Sequence, residues 1–164
     1  GRKIKAFGDE IVTAEMLDKD MEENGVPIVR KTQEIIEYFK PEWWFIENPQ
    51  TSKMKNYLTD LNYYDVDYCK YSDWGYRKRT RIWTNNMEFV PKICRKDCEN
   101  MFDPTKHKKD IGNLYINKNG KMKKMHKKCI GNTQSRITNP KPNLQLKYRV
   151  PPLLIKDLFE IVDV

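Results

Sequence analysis

Residues 43–49 read WWFIENP, an apolar run that ends abruptly in Glu47, Asn48 and Pro49. A short run that is apolar at every position is typical of a strand buried on both faces of a parallel sheet, so we predict a strand over 43–47. Open α/β sheets form their ligand sites at the carboxyl ends of such strands. The stretch therefore predicts an α/β fold with Glu47 at its ligand-binding edge. The alternative, that Glu47 only caps a following helix, remains open.

The segments around this strand extend the α/β pattern. Apolar residues at helical spacing predict a helix over 27–40, which Pro41 ends. A short helix over 52–60 and two strands over 64–71 and 77–84 follow, and the short turn between these strands predicts an antiparallel hairpin at the sheet edge. This order is that of the second half of an α/β sheet.

The two ends of the chain show different patterns. Residues 1–26 lack a clean hydrophobic period and are expected to be irregular. Near the other end, Pro151 and Pro152 precede an apolar face typical of a closing helix.

Arginines at every second position form the second constellation. Arg77, Arg79 and Arg81 are expected to share one face of an extended segment, where guanidinium groups suit phosphates and base edges. The alternative is an exposed edge strand that carries charge against aggregation. The flanking aromatic residues Trp74 and Trp83 favour a ligand site.

The net charge of the chain is concentrated in one region. The formal charge is +8, and residues 104–128 hold nine lysines against one acid, Asp110, so this window accounts for all of it. A localised basic patch indicates a polyanion partner such as DNA, with Lys123 and Lys124 as candidate substrate-binding residues. On the lysine run alone, the alternative of a solvated lysine-rich loop is slightly favoured.

Composition also bounds the compartment. No apolar run reaches the roughly 18 residues of a membrane span, so no membrane association is expected. The chain begins with Gly1 and shows no signal-peptide pattern, so we expect a processed or partial product. Four cysteines without a secretory signal indicate a reducing intracellular compartment, cytoplasm or nucleus.

The third constellation is a group of cysteine and histidine residues within 91–147. Cys94 and Cys98 form one close pair, and His126 and Cys129 form another, with His107 as a spare candidate. Four nitrogen and sulfur ligands are what a structural zinc site needs. Reduced cysteines in a small apolar cluster are the alternative. The scarcity of other core material in this segment favours the metal.

Three motifs carry a resemblance to a known family. Glu47-Asn48-Pro49 resembles the Glu-Asn-Val motif of DNA cytosine-5 methyltransferases, and 72–83 is similar to their Gln-x-Arg-x-Arg motif with its preceding turn. Residues 148–154 (YRVPPLL) resemble the closing Val-Pro-Pro motif and its helix. The motifs occur in the family's order, and the family's variable target-recognition region would correspond to the lysine-rich segment.

The resemblance implies roles for these residues. Glu47 would bind N3 and the amino group of a cytosine flipped out of the duplex, because the target carbon cannot be reached inside the stack. Arg81 would hold the carbonyl oxygen of the base, and Arg79 would support it or a phosphate. Asn48 and Arg77 are further substrate-binding candidates. S-adenosylmethionine would be the methyl donor.

The sequence also departs from the family pattern. The Phe-x-Gly-x-Gly cofactor loop and the Pro-Cys nucleophile are absent, Pro49 replaces Val, and Arg77 stands where Gln is usual. Cys69 follows the Glu-Asn motif and is not assigned the nucleophile's role. We therefore expect a partner chain or a missing N-terminal half to bind most of the cofactor and to complete the sheet.

Three functional hypotheses follow. The first is the carboxyl-terminal part of a DNA cytosine-5 methyltransferase. Its partial Rossmann-like α/β domain would comprise 1–90 and 148–164, with a basic, zinc-stapled recognition module over 91–147. The second is a catalytically inactive nucleic-acid-binding or structural assembly protein derived from that fold. A zinc-dependent endonuclease is disfavoured, because carboxylates do not cluster around Glu47 in the sequence.

Overall fold

The structure, a computed structural model, describes part of the chain, and all structural statements below concern that part. The described residues are 12–102, 119–120, 125–127 and 148–159.

The described chain begins with helix α1 (Ala14–Asp20). The Thr13 hydroxyl caps it by accepting a hydrogen bond from the backbone N–H of Met16 at 3.3 Å. A π-helical turn (Met21–Gly25) continues the helical path. The expected irregular lead-in over 1–26 is therefore wrong for its second half, because capping and good helix formers sustain a helix without an apolar period. Its first eleven residues lie outside the described ranges.

Helix α2 (Val26–Phe39) confirms the helix predicted over 27–40. It ends at Lys40, whose left-handed backbone (φ 44°) donates a hydrogen bond to the carbonyl of Ile36. Pro41 follows directly and could not extend the helix without breaking its hydrogen-bond pattern.

Three strands form one sheet in the order β1-β3-β2. They are β1 (Phe45–Pro49), β2 (Tyr63–Asp67) and β3 (Arg79–Thr84). Both neighbouring pairs are antiparallel, which confirms the predicted pairing of the last two strands. The strand predicted over 43–47 exists but is not a parallel strand buried on both faces. Because β3 inserts between β1 and β2, β1 pairs antiparallel and lies at an edge, with Glu47 and Pro49 exposed.

The shorter elements differ from prediction in extent. The helix expected over 52–60 is a single 3₁₀ turn, Lys53–Asn56. The strand expected to reach residue 71 ends at Asp67 and passes into a second 3₁₀ turn, Tyr68–Lys70. The closing helix α3 (Pro152–Phe159) is confirmed.

The sheet packs on both faces, as an α/β fold requires. Side chains from β1 and β3 that point to one face, Ile46 and Trp83, pack with Val29 of α2. We call this the α2 face. On the opposite side, the α3 face, Val66 and Ile82 pack with two leucines of α3, Leu154 and Leu158. The mixture of helices and strands is consistent with the predicted α/β class, and the sheet of the described residues is small, antiparallel and packed between α2 and α3.

Candidate functional site

The carboxyl ends of β1 and β2 and the amino end of β3 meet at one edge of the sheet. This follows from the antiparallel order, because β3 runs opposite to both neighbours. Glu47 lies near the end of β1, Tyr68 directly follows β2, and Lys78 directly precedes β3. The three side chains meet there, on the α3 face.

Glu47 is held by two donors through one of its oxygens. The Tyr68 hydroxyl donates to Oε1 at 2.9 Å and the Lys78 ammonium to the same atom at 3.2 Å. Oε2 receives no hydrogen bond from any described residue. The Glu47 side chain keeps 32% of its surface exposed. The carboxylate is therefore fixed in place with one oxygen available to a ligand.

Burial, and next the nearby negative charge of Glu47, raises the pKa of Tyr68. The phenol consequently stays protonated and remains a donor to the carboxylate. Lys78 also lies over the Tyr68 ring, with its ammonium 4.7 Å from the ring centroid.

Aromatic side chains continue this site away from the sheet. Trp74 contacts Tyr68 edge-on and lies 5.9 Å from Tyr76, centroid to centroid. The Arg149 guanidinium stacks 3.4 Å from the Trp74 centroid and donates a hydrogen bond from Nε to the Tyr76 hydroxyl at 3.3 Å. Gly75, between the two rings, adopts a positive φ of 85°. The closing segment of the chain thus docks on the turn before β3.

The predicted arginine row lies on the other face of the sheet. Arg79 and Arg81 alternate with Ile82 and share the side of Trp83, so they lie on the α2 face, opposite Glu47. Their direct contact with a base stays a prediction.

The carboxylates beside the arginines are residues of β2 that sequence reasoning did not assign to the site. Asp65 accepts a two-pronged pair from Arg81 at 2.8 and 3.1 Å. Asp67 accepts from Arg77 at 2.8 Å and from Arg79 at 3.1 and 2.8 Å. The alternation Asp65-x-Asp67 matches the alternating arginines in the β2–β3 register and was the available signal.

Asp67 is fully buried, and the groups around it stabilise its negative charge. Burial alone would raise its pKa, but hydrogen bonds from Arg79, Arg77 and the backbone N–H of Cys94 together outweigh burial and lower it. The arginine partners keep 33% of their side chains exposed, so they reach from solvent to a buried anion.

Asn48, the other polar residue of the first motif, also lies on the α2 face. It is the cross-strand partner of Arg81. Its amide nitrogen contacts the Met54 sulfur at 3.4 Å. Asn48 and Glu47 therefore point to opposite sides of the sheet, as neighbours in a strand do.

Four possible metal ligands converge next to this edge. Single ligand atoms of Cys69, Cys94, Cys98 and His126 all lie within 4.8 Å of one another. Three of them were predicted as a set. The fourth predicted member, Cys129, lies outside the described residues, as do Lys123, Lys124 and His107. Cys69 takes the fourth place because the 3₁₀ turn after β2 carries it toward Cys94.

The protonation of these ligands follows from their surroundings. Burial raises the pKa of the Cys69 and Cys98 thiols. Burial acts in the same direction on Cys94, but hydrogen bonds from the backbone N–H groups of Lys96 and Asp97, among others, outweigh it and lower the pKa of this thiol. Burial also lowers the pKa of His126, which favours its neutral imidazole.

A cavity of about 750 Å³ has Trp74, Cys69 and Cys98 in its lining. Its lining carries both signs of charge, with Lys70 and Lys127 beside Asp73, Asp97 and Glu99. Trp74, which contacts Tyr68, and two residues of the cysteine cluster therefore border the same space.

No helix among the described residues is both long enough and apolar enough to cross a membrane.

Comparison with known proteins points to one relative. No protein-family model matches the chain, and no solved structure shows a significant match. The chain is similar to a curated protein of Frog virus 3 (isolate Goorha) described as a probable DNA (cytosine-5)-methyltransferase, with 38% identity over 152 residues. The match covers 92% of this chain and 64% of the relative, so the chain spans slightly less than two thirds of that protein's length.

Proposed function

Because the chain belongs to the DNA (cytosine-5)-methyltransferase family, we propose that it supplies the target-base pocket and part of the DNA-binding surface of such an enzyme. The premise is its similarity along 92% of its length to the viral relative. In this proposal the three strands are part of a larger Rossmann-like sheet. The outer edge of β1 pairs with no described strand, which is where a further strand would add.

The position of Glu47 is the observation that carries the proposal. A carboxyl group can accept a hydrogen bond from the exocyclic amino group of cytosine and can hold a proton at N3. Tyr68 and Lys78 leave Oε2 unoccupied and the Glu47 side chain is 32% exposed, so the carboxylate is accessible to an extruded base. Since the base has to leave the duplex to be reached, a fixed acceptor beside aromatic side chains suits the step.

Tyr68 and Lys78 act on the base through Glu47. Both donate to Oε1, which orients the carboxyl plane and leaves Oε2 directed away from them. A carboxylate that is already positioned loses less conformational entropy when the base binds. Tyr68 and Lys78 are therefore positioning residues in this proposal.

The arginines contribute from the opposite face. By pairing with Asp65 and Asp67 they fix β3 against β2, and β3 carries Lys78 immediately before its first residue. The resemblance further assigns Arg81 to the carbonyl oxygen of the base and Arg79 to its support or to a phosphate, contacts that would require these side chains to leave Asp65 and Asp67 and to reach the base from the α2 face. These contacts are part of the proposal, as are the substrate contacts of Asn48, Arg77, Lys123 and Lys124.

The described residues do not fit a complete S-adenosylmethionine site. The sequence contains no glycine-rich cofactor loop and no Pro-Cys pair. All three described cysteines lie in the cluster with His126, so none is placed to attack a base at Glu47. A segment or partner outside this chain would supply the methyl donor site and the nucleophile, and we derive no step through them.

The absence of this machinery from the chain favours one second candidate. A catalytically inactive nucleic-acid-binding or assembly protein on the same fold needs neither the cofactor loop nor the nucleophile. The intact mass of the native protein, together with any chain that copurifies with it, separates the candidates. A larger polypeptide or a partner bearing a glycine-rich loop and a Pro-Cys pair supports the enzyme.

The decisive variant is Glu47→Gln in the enzyme assembled from this chain and the polypeptide that carries the nucleophile. We expect methyl transfer from labelled S-adenosylmethionine to DNA to fall about 100-fold or more, because the amide cannot hold the proton at N3. DNA affinity should stay within about twofold, since phosphate contacts supply most of it.

Glu37→Gln on α2 is the matched control, because it removes an exposed carboxylate from a residue outside the site. Methyl transfer by this control should equal that of the unaltered protein. Undiminished transfer by Glu47→Gln would remove Glu47 from the base pocket. Absence of transfer in every assembly would favour the inactive candidate.

A further inference from the structure

Four ligands from three separate parts of the chain meet in one place. Cys69 belongs to the turn after β2, Cys94 and Cys98 to the segment after β3, and His126 to a short segment further along. The sulfur atoms of Cys94 and Cys98 lie 3.6 and 3.4 Å from Nε2 of His126. Such convergence of soft donors is what a tetrahedral metal site requires.

The distances match one ion at the centre. With Zn–S of about 2.3 Å and Zn–N of about 2.05 Å in tetrahedral geometry, sulfur and nitrogen ligands lie about 3.6 Å apart. The two observed separations agree with this value to within a few tenths of an ångström. Donor atoms that all lie within 4.8 Å of one another surround a single ion, whereas an iron–sulfur cluster would hold its ligands further apart.

We propose that Cys69, Cys94, Cys98 and His126 form a structural zinc site that fixes the segment after β3 to the edge of the sheet. A set of three thiolates and one imidazole fills all four positions, so the ion has no open position for catalysis. This ligand set replaces Cys129, the sequence-based choice, with Cys69.

The turn that carries Cys94 has the local structure of a metal-binding loop. Lys96 adopts a left-handed backbone, with φ 63°, and its N–H donates to the Cys94 sulfur at 3.3 Å. Such a bond stabilises a thiolate ligand and fixes its direction, as outer-shell hydrogen bonds do at metal sites.

Among the described residues, few other interactions hold this region together. His126 is joined to the rest by a single bridge with Met101 and by backbone hydrogen bonds from Phe102 to Met125 and from Lys127 to Asn100. The Asn100 side chain in turn donates to the carbonyls of Cys69 and Ser72. The zinc ion would connect both sides of this polar network at one point.

The site is also coupled to the arginine row. The backbone N–H of Cys94 donates to Asp67 at 2.8 Å, and Asp67 accepts from Arg77 and Arg79. Because Cys94 donates to Asp67, a fixed Cys94 also fixes the position of this carboxylate and of the arginines paired with it. The zinc would stabilise the start of β3 as well as the following segment.

The test is the zinc content of the full chain purified under reducing conditions without chelators. We expect about one zinc per chain by elemental mass spectrometry, and a loss of thermal stability when a chelator removes it. Cobalt substitution should give the visible absorption of a tetrahedral ion with thiolate ligands. None of these readouts depends on methyl transfer, so they succeed or fail independently of the proposed enzyme.

Two matched cysteine variants identify the ligands. Cys69→Ser should lower the zinc content and weaken the thiolate absorption of the cobalt form, whereas Cys129→Ser should leave both unchanged. Cys98→Ser, at a half-buried position, gives the same test with less risk to folding.

Three results would overturn the proposal. Zinc retained in Cys69→Ser but lost in Cys129→Ser would assign the fourth position to Cys129. Iron in place of zinc would overturn the assigned ion. No zinc in the purified chain, and no binding when zinc is added to the reduced protein, would leave three thiols and a histidine packed without a metal.

Discussion

Two carboxylates at the same edge of the sheet illustrate different uses of an acid. Asp67, on the α2 face, is fully buried and accepts four hydrogen bonds, from two arginines and one backbone N–H. Glu47, on the α3 face, keeps 32% of its side chain exposed and accepts two bonds through one oxygen. A carboxylate has about four acceptor positions, so Asp67 is saturated and Glu47 is not.

This difference separates a structural acid from one that can bind a ligand. Both have cationic neighbours, so charge pairing alone does not distinguish them. The distinction comes from accessible lone pairs: a saturated, buried carboxylate stabilises the fold, whereas an oriented carboxylate with a free oxygen can still bind a partner. A substitution of Asp67 should therefore reduce stability more than activity, whereas a substitution of Glu47 should reduce activity more than stability.

The largest effect on stability should come from Asp67→Asn. The amide keeps the shape but places an N–H₂ group against donors and removes the charge that the two arginines face. Breaking a buried ion pair costs about 3–5 kcal/mol, and the partial exposure of both arginines places the expected loss near the lower end, about 3 kcal/mol.

Urea unfolding of the zinc-loaded chain measures this loss. Asp60→Asn, an exposed position between β1 and β2, is the control and should change the free energy of unfolding by less than about 0.5 kcal/mol. A loss below about 1 kcal/mol for Asp67→Asn would mean that solvent replaces the carboxylate, and the contrast with Glu47 would fail.

A smaller effect is expected from Asp65→Asn. Asp65 accepts a two-pronged pair from Arg81 and a hydrogen bond from Gln50 at 3.2 Å, but it retains 23% exposure. Since water can partly replace the lost charge, we expect a loss of about 1–2 kcal/mol by the same measurement. An effect equal to that of Asp67→Asn would show that burial is not what sets the cost on this face.

Elements that depend on local interactions were predicted from the sequence, whereas arrangements that depend on long-range contacts were not. Helices α2 and α3 depend on local periodicity and prolines, and both were predicted. The antiparallel pairing of β2 with β3 followed from the short connection between them. The antiparallel pairing of β1 could not be predicted, because it depends on β3 inserting between strands that are distant in sequence.

The site divides in the same way. Glu47 was proposed from its place at a strand end, and Cys94, Cys98 and His126, which the structure brings together, were proposed from the spacing of soft ligands. Sequence reasoning missed Asp67 and Cys69. Asp67 meets the arginines only through the pairing of β2 with β3, and Cys69 approaches Cys94 only through the 3₁₀ turn that follows β2. The residues of each contact, Asp67 with Arg79 and Cys69 with Cys94, are too far apart in the sequence for a local pattern to link them.

The smallest effect on stability, and the sharpest test of the comparison, should come from Tyr68→Phe. The change removes only the hydroxyl that donates to Glu47 and retains the buried ring that packs on the α3 face. One hydrogen bond to a partly exposed carboxylate contributes about 1 kcal/mol or less, so unfolding should change little. Methyl transfer by the assembled enzyme should nevertheless fall about tenfold, because Lys78 alone orients the carboxyl group less well.

If activity instead falls only as far as stability does, Tyr68 is a packing residue and Glu47 does not depend on it. If Phe at this position leaves activity intact but Glu47→Gln abolishes it, Lys78 alone is sufficient to orient the acid. Only a loss of activity that exceeds the loss of stability supports a carboxylate kept oriented for a ligand and distinguishes it from one that, like Asp67, serves the fold.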